Sequence, residues 1–137
     1  MVFLTDGDRT CPLTWRSAKV KRIVKSTIAA ETLALLDGLE SAYLLSKIIA
    51  EVIYNGEVEA IPVVGITDNR NLADSAYSSS LIEDKRLLIE MNIIRQMINR
   101  EEAQVEWIQS GDQVSDVLTK VGVSGSKLRE VVSRGSL

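Results

Sequence analysis

A chain of 137 residues that is 45% apolar and 26% charged is long enough to bury one hydrophobic core, so a single domain is expected. No apolar run approaches the ~18 residues of a membrane span, and the opening MVFLTDGD has neither the basic nor the apolar region of a secretory signal; a soluble intracellular protein is expected. One cysteine and no histidine exclude an internal disulfide and the usual zinc sets while leaving carboxylates for a hard cation such as Mg2+, and a net charge of -3 argues against coating nucleic acid through bulk charge.

In chain order, MVFLT and PLTWRSA are short runs with β-branched and aromatic residues, split by DGDRTC, whose Asp-Gly pair signals a hairpin. WRSAKVKRIVKS follows, a local basic patch of Arg16, Lys19, Lys21, Arg22 and Lys25 with no acid among them. These five cations read either as a grip on a polyanion or as a solvated face, since strand alternation would split them between two sides. From Ser26 to about Val52 the pattern is helical. Ile28, Leu35, Ala42, Leu45 and Ile49 lie on one face and Asp37, Glu40, Lys47 and Glu51 on the other, with Asn55-Gly56 as the stop.

IPVVGIT is a continuous apolar run of strand length, of the kind buried on both faces of a parallel sheet. DNRNLADSAY reads as a short helix entered through an Asp/Asn cap, and LIEDKRLLIEMNIIRQMINREEA as a long one. QVEWIQ reads as a strand, SGDQVSDVLTKVG as a capped helix running into glycine, and SGSKLREVVSR as a last amphipathic helix. Strands alternating with helices predict an α/β sandwich with a mixed sheet.

Three acids stand out. Glu31, within STIAAETLAL, lies on the apolar side of its helix, where leucine is expected. A buried bare carboxylate costs several kcal/mol unless it is paired, hydrogen-bonded or on a metal. The bland reading is a buried basic partner, or a position near the helix start that the dipole favours. Asp68 stands just past the carboxyl end of an apolar strand, where open α/β sheets place their ligand crevice; a helix cap explains it equally well. Asp116 lies opposite the apolar side formed by Val114, Val117, Leu118 and Val121, as a dipole-favoured surface acid or as a ligand.

In combination, Trp15, Ser17 and Lys19 of WRSAK, then STIAAETLAL, TDNRNL and SDVLTK occur in the order and approximate spacing of one family. From Val2 to about Lys120 the chain resembles the ribonuclease H domain of copia-type retrotransposon polyproteins, and EDKRLLIEMNIIRQM looks like that family's penultimate helix. The resemblance implies a ribonuclease H-like mixed sheet with flanking helices, occupying 1–137 as one N-terminally truncated domain. It implies that Glu31, Asp68 and Asp116 are the second, third and fourth of four carboxylates holding two Mg2+ ions, or Mn2+ in their place, with no small-molecule cofactor. The implied activity is two-metal hydrolysis of the RNA strand of RNA–DNA hybrids. The implied partners are that hybrid and the reverse transcriptase domain of the same polyprotein, with no membrane, in a cytoplasmic particle or the nucleus. Arg16, Lys19, Lys21, Arg22, Lys25 and Asn69 are the residues assigned to nucleic-acid contact.

The chain departs from the family in two places. The family's first aspartate lies on a strand upstream of the Trp-Ser-Lys segment, and that central strand is expected to be missing here, leaving two unpaired edges. Asp6 and Asp8 are the nearby acids, and both are expected in the hairpin turn. At the family's usual histidine positions stand Arg86 and Asn92. A catalytically dead fragment is the competing expectation, acting as a binding module through Leu128, Val131 and Val132 of the last helix.

Overall fold

A computed structural model describes residues 1–6, 9–18, 26–57, 61–78, 82–118, 122 and 124–135. Its class is mixed α/β. The described residues form four α-helices, two 3-10 helices and two two-stranded sheets. The chain divides into two compact units, Arg22–Gln109 and Met1–Lys21 with Ser110–Leu137.

The central unit is built on a long helix, α1 (Thr27–Tyr54). Ser26 starts it by accepting the Ala29 N–H on its hydroxyl, and Asn55 ends it in the left-handed conformation, φ 50°, followed by Gly56 at φ 76°. The inward face is rotated from the expected one. Ala29, Thr32, Leu36, Leu39, Ser46 and Ala50 are buried, while Ile28, Leu35 and Ala42 pack at the margin. The two polar residues on this face bond within the helix: Thr32 to the Ile28 carbonyl and Ser46 to that of Tyr43. Their hydroxyls are thereby satisfied, which is why a stripe chosen on apolarity alone points to the wrong centre.

Strand β3 (Val64–Thr67) runs parallel to β4 (Gln104–Trp107), with Gly65 opposite Val105 and Thr67 opposite Trp107. Gly65 lies against α1, where a Cβ would sit 2.7 Å from Leu39 Cδ2, so only glycine permits this approach of helix to strand. The expectation that β3 is buried on both faces is corrected. Gly65 and Thr67 are buried, but Val64 and Ile66 are 45% and 44% exposed. The run is apolar throughout, so its composition did not reveal this alternation.

Helix α2 (Arg70–Tyr77) follows β3 directly, and α3 (Lys85–Asn99) begins at the Asp84 cap. Arg95 of α3 donates two hydrogen bonds to the Ser75 carbonyl of α2, at 2.9 and 3.2 Å. The core between these elements is Leu36, Leu39, Leu72, Ala73, Ala76, Met91, Ile94, Met97 and Val105 with their neighbours. Beside β4, the Tyr77 hydroxyl accepts the Val105 N–H at 2.9 Å and donates to the Val105 carbonyl at 3.1 Å. The bonds from Gln104 to the Val63 carbonyl and from Ile108 to that of Thr67 set the ladder phase. Tyr77 therefore occupies the β4 edge that faces away from β3.

The second unit carries the expected hairpin, β1 (Val2–Asp6) antiparallel to β2 (Arg9–Thr14). The second strand begins earlier than expected and stops before Trp15, because Arg9 and Thr10 continue the ladder opposite Asp6 and Thr5. Asp6 is thus a strand residue, 3.5 Å from Arg9, rather than part of the turn; Asp8 lies outside the described residues. Pro12, with no N–H to give, faces Phe3 next to the one register shift. Helix α4 (Ser126–Arg134) buries Val131, and the Thr10 N–H donates to the Gly135 carbonyl just beyond the helix.

The helix expected over SGDQVSDVLTKVG is corrected to two 3-10 turns, Ser110–Asp112 and Val114–Leu118, with 119–121 outside the described residues. Their bonds span three residues, Gln113 N–H to the Ser110 carbonyl and Asp116 N–H to that of Gln113, both 3.3 Å. Ser, Asp and β-branched Val disfavour a longer helix here. Among the described residues, no helix is long and apolar enough to cross a membrane.

Candidate functional site

Glu31 lies in the second turn of α1, half-buried. Its side chain meets the residue that follows the tip of β3. Asn69 Nδ2 donates to Glu31 Oε2 at 2.5 Å. The sequence left open a buried basic partner for this carboxylate; the partner is a neutral amide instead. Asp68 is the adjacent residue, half-buried at the carboxyl end of the parallel pair β3–β4. Two of the three predicted acids are therefore brought to one end of one sheet, one on the strand tip and one on the helix packed beside it.

The loop that holds them is fixed at several points. The Asn69 N–H donates to Thr67 Oγ1 at 3.1 Å, and Thr67 is itself buried. Asn69 Oδ1 accepts the Leu72 N–H at 3.1 Å, so the cap of α2 is Asn69, not Asp68. Trp107 Nε1 donates to the Asp68 carbonyl at 3.1 Å, and the Arg70 guanidinium stacks 5.2 Å from the Trp107 ring. Thr67, Arg70 and Trp107 were not singled out from the sequence. The available signal was position: Trp107 closes a strand whose parallel partner ends at Thr67.

Asp116 lies in the second unit, on the turn Val114–Leu118, half-buried and with a partner of its own. Arg16 is exposed and likewise engaged. The Ser17 hydroxyl donates to the Leu118 carbonyl at 3.1 Å, which ties the WRSAK segment to the SDVL turn within that unit. Lys19, Lys21, Arg22 and Lys25 lie outside the described residues. Arg86 and Asn92 are exposed on α3, where Asn92 Oδ1 accepts from Arg95.

Glu31 and Asp68 offer hard oxygen donors, the chemistry Mg2+ prefers over nitrogen or sulfur. They fit such an ion in kind. Mg2+ is commonly held by one or two carboxylates together with waters or phosphates; among the described residues no three His, Cys, Asp or Glu side chains gather as a metal-holding group. No protein-family profile, curated protein or solved structure matches the chain.

Proposed function

We propose that this chain is a ribonuclease H-type domain of a retrotransposon polyprotein, acting on the RNA strand of an RNA–DNA hybrid. One observation carries the reading: the hydrogen bond from Asn69 brings the Glu31 carboxylate to the carboxyl end of β3, beside Asp68. Open α/β sheets bind ligands there. The pairing of strands also supports it. Among the described residues, an antiparallel hairpin and a parallel strand pair are both strand pairings that this reading uses.

In this reading Glu31, Asp68 and Asp116 are the carboxylates that hold two Mg2+ ions, or Mn2+. When bound, such ions lower the pKa of the attacking water and stabilise the leaving 3′-oxygen. Glu31 and Asp68 contribute oxygen ligands whose negative charge the ions offset. Arg16, Lys19, Lys21, Arg22 and Lys25 supply the positive charge that grips hybrid phosphates. The reverse transcriptase domain of the same polyprotein is the proposed covalent neighbour, in a cytoplasmic particle or the nucleus.

A second reading is a binding module without cleavage. Its proposed contact residues need revision. Of Leu128, Val131 and Val132, Val131 is buried, Leu128 is half-buried and Val132 is 52% exposed.

The test is Mg2+-dependent cleavage of RNA in a hybrid, measured on this chain and on the chain extended by its upstream reading frame. The extended protein is expected to cut, the chain alone to cut little, and Glu31→Gln to abolish cutting. Cleavage that survives Glu31→Gln defeats the metal-site assignment. Hybrid binding without any cleavage in the extended protein selects the second reading.

A further inference from the structure

The geometry points to Asn69 as a positioning residue that holds the Glu31 carboxylate in place for a cation, a role distinct from contact with nucleic acid. It rests on the ribonuclease H reading for what the held carboxylate serves; the contact between Asn69 and Glu31 does not depend on that reading.

The choice of residue at the cap is the first argument. Ser, Thr, Asp and Asn all cap a helix by accepting an early N–H, so α2 alone does not call for asparagine. Asparagine is the member of that set whose side chain accepts at one atom and donates at another, about two ångströms apart. Here both are used: Oδ1 takes the Leu72 N–H, and Nδ2 gives to Glu31 Oε2.

The orientation of the amide is the second. Turning it over would set Oδ1 against the Glu31 carboxylate and Nδ2 against the Leu72 N–H, acceptor facing acceptor and donor facing donor. The cap therefore dictates where the donor points. The backbone at Asn69 is pinned by Thr67 Oγ1, and the preceding carbonyl by the Trp107 indole. A fixed donor on a fixed loop engages Oε2 of Glu31 and so holds that carboxylate at the residue after Asp68. Groups that orient a metal-binding side chain in this way commonly govern affinity without touching the metal.

The experiment uses the chain with Mg2+ alone as probe. In the 1H–15N spectrum one Asn69 side-chain amide proton is expected downfield of the ordinary position and to return to it in Glu31→Ala. Asn69→Ser keeps a capping acceptor for Leu72 but cannot span to Glu31. It is expected to weaken the Mg2+ response of the Glu31 and Asp68 resonances about 10-fold. Ordinary Asn69 amide shifts that Glu31→Ala leaves unmoved overturn the contact. Equal Mg2+ affinity in Asn69→Ser and the parent overturns the positioning role but not the ribonuclease H reading. Absence of any localised Mg2+ response at Glu31 and Asp68 in the parent overturns both.

Discussion

The two units differ in how they are held together. In Arg22–Gln109, a helix of 28 residues, a parallel strand pair and two further helices enclose Leu39, Leu72, Met91 and Ile94, each at most 2% exposed. In the other unit the buried apolar side chain of the described residues is Val131, and Thr10 is the buried polar one. That unit relies on directional contacts: Thr10 to Gly135, Ser17 to Leu118, and Lys127 to Asp112 at 2.6 Å. A two-stranded hairpin is marginal without such support. Glu31 and Asp68 rest on the unit with the larger packed core, whereas Asp116 rests on a 3-10 turn in the unit whose described residues bury one apolar side chain. Precision is expected at the first two acids and dependence on neighbours at the third.

Core truncation is the strongest way to probe that contrast. Leu39→Ala is expected to cost about 2–5 kcal/mol, because a fully enclosed side chain leaves a cavity against Gly65 and the α3 face. Val131→Ala removes two methyls from a thinner core and is expected to cost about 1–2 kcal/mol. Urea melts followed through Trp107 in one unit and Trp15 in the other separate the two effects. Equal losses at both probes would mean that the units unfold as one. Next in size is Gly65→Ala, whose new methyl would meet Leu39 at 2.7 Å; the expected loss is about 1–3 kcal/mol from overpacking. A neutral Gly65→Ala would show that α1 can move away from β3 without cost.

Much of this was legible before any coordinates. The helix start at Ser26, the Asn55-Gly56 stop, the Asp68–Asn69 entry to α2 and the strand at QVEWIQ are local signals, and the structure has each where the signal lies. Three features were not local. The centre of the buried face of α1 depends on Thr32 and Ser46 satisfying their hydroxyls within the helix, which hydropathy does not register. The exposure of Val64 and Ile66 depends on which face of β3 another layer covers. The 3-10 turns around Asp116 depend on weak propensities that a helical pattern of valines conceals. For the candidate site, the position of Glu31 on an apolar face was readable and its partner was not, because a bond spanning 38 residues leaves no trace in spacing.

A smaller effect tests the edge of the sheet. Tyr77→Phe removes the hydroxyl that serves both the N–H and the carbonyl of Val105, and about 1 kcal/mol of stability is expected to go with it. The exchange of the Val105 amide hydrogen should quicken in the same variant. The freed edge is a template for a further strand, so concentration-dependent association is expected to rise. If Val105 exchange stays as slow as in the parent, Tyr77 is not what shields that edge.

The smallest effect is expected at Lys127, and it tests how far the second unit relies on directional contacts rather than on burial. Its ammonium lies 2.6 Å from Asp112 and 3.4 Å from the Gly111 carbonyl, yet the paired side chains are 47% and 65% exposed. Water screens such a pair and the lysine gives up rotamer freedom to form it, so Lys127→Ala is expected to cost no more than about 0.5 kcal/mol. The cost should vanish in 1 M salt, where the screening length falls to about 3 Å. A loss that is larger, or that persists in salt, would place the ion pair among the principal supports of the turn that precedes Asp116. The poorly buried unit would then be organised by charge, and its acid would be held more firmly than its sparse core suggests.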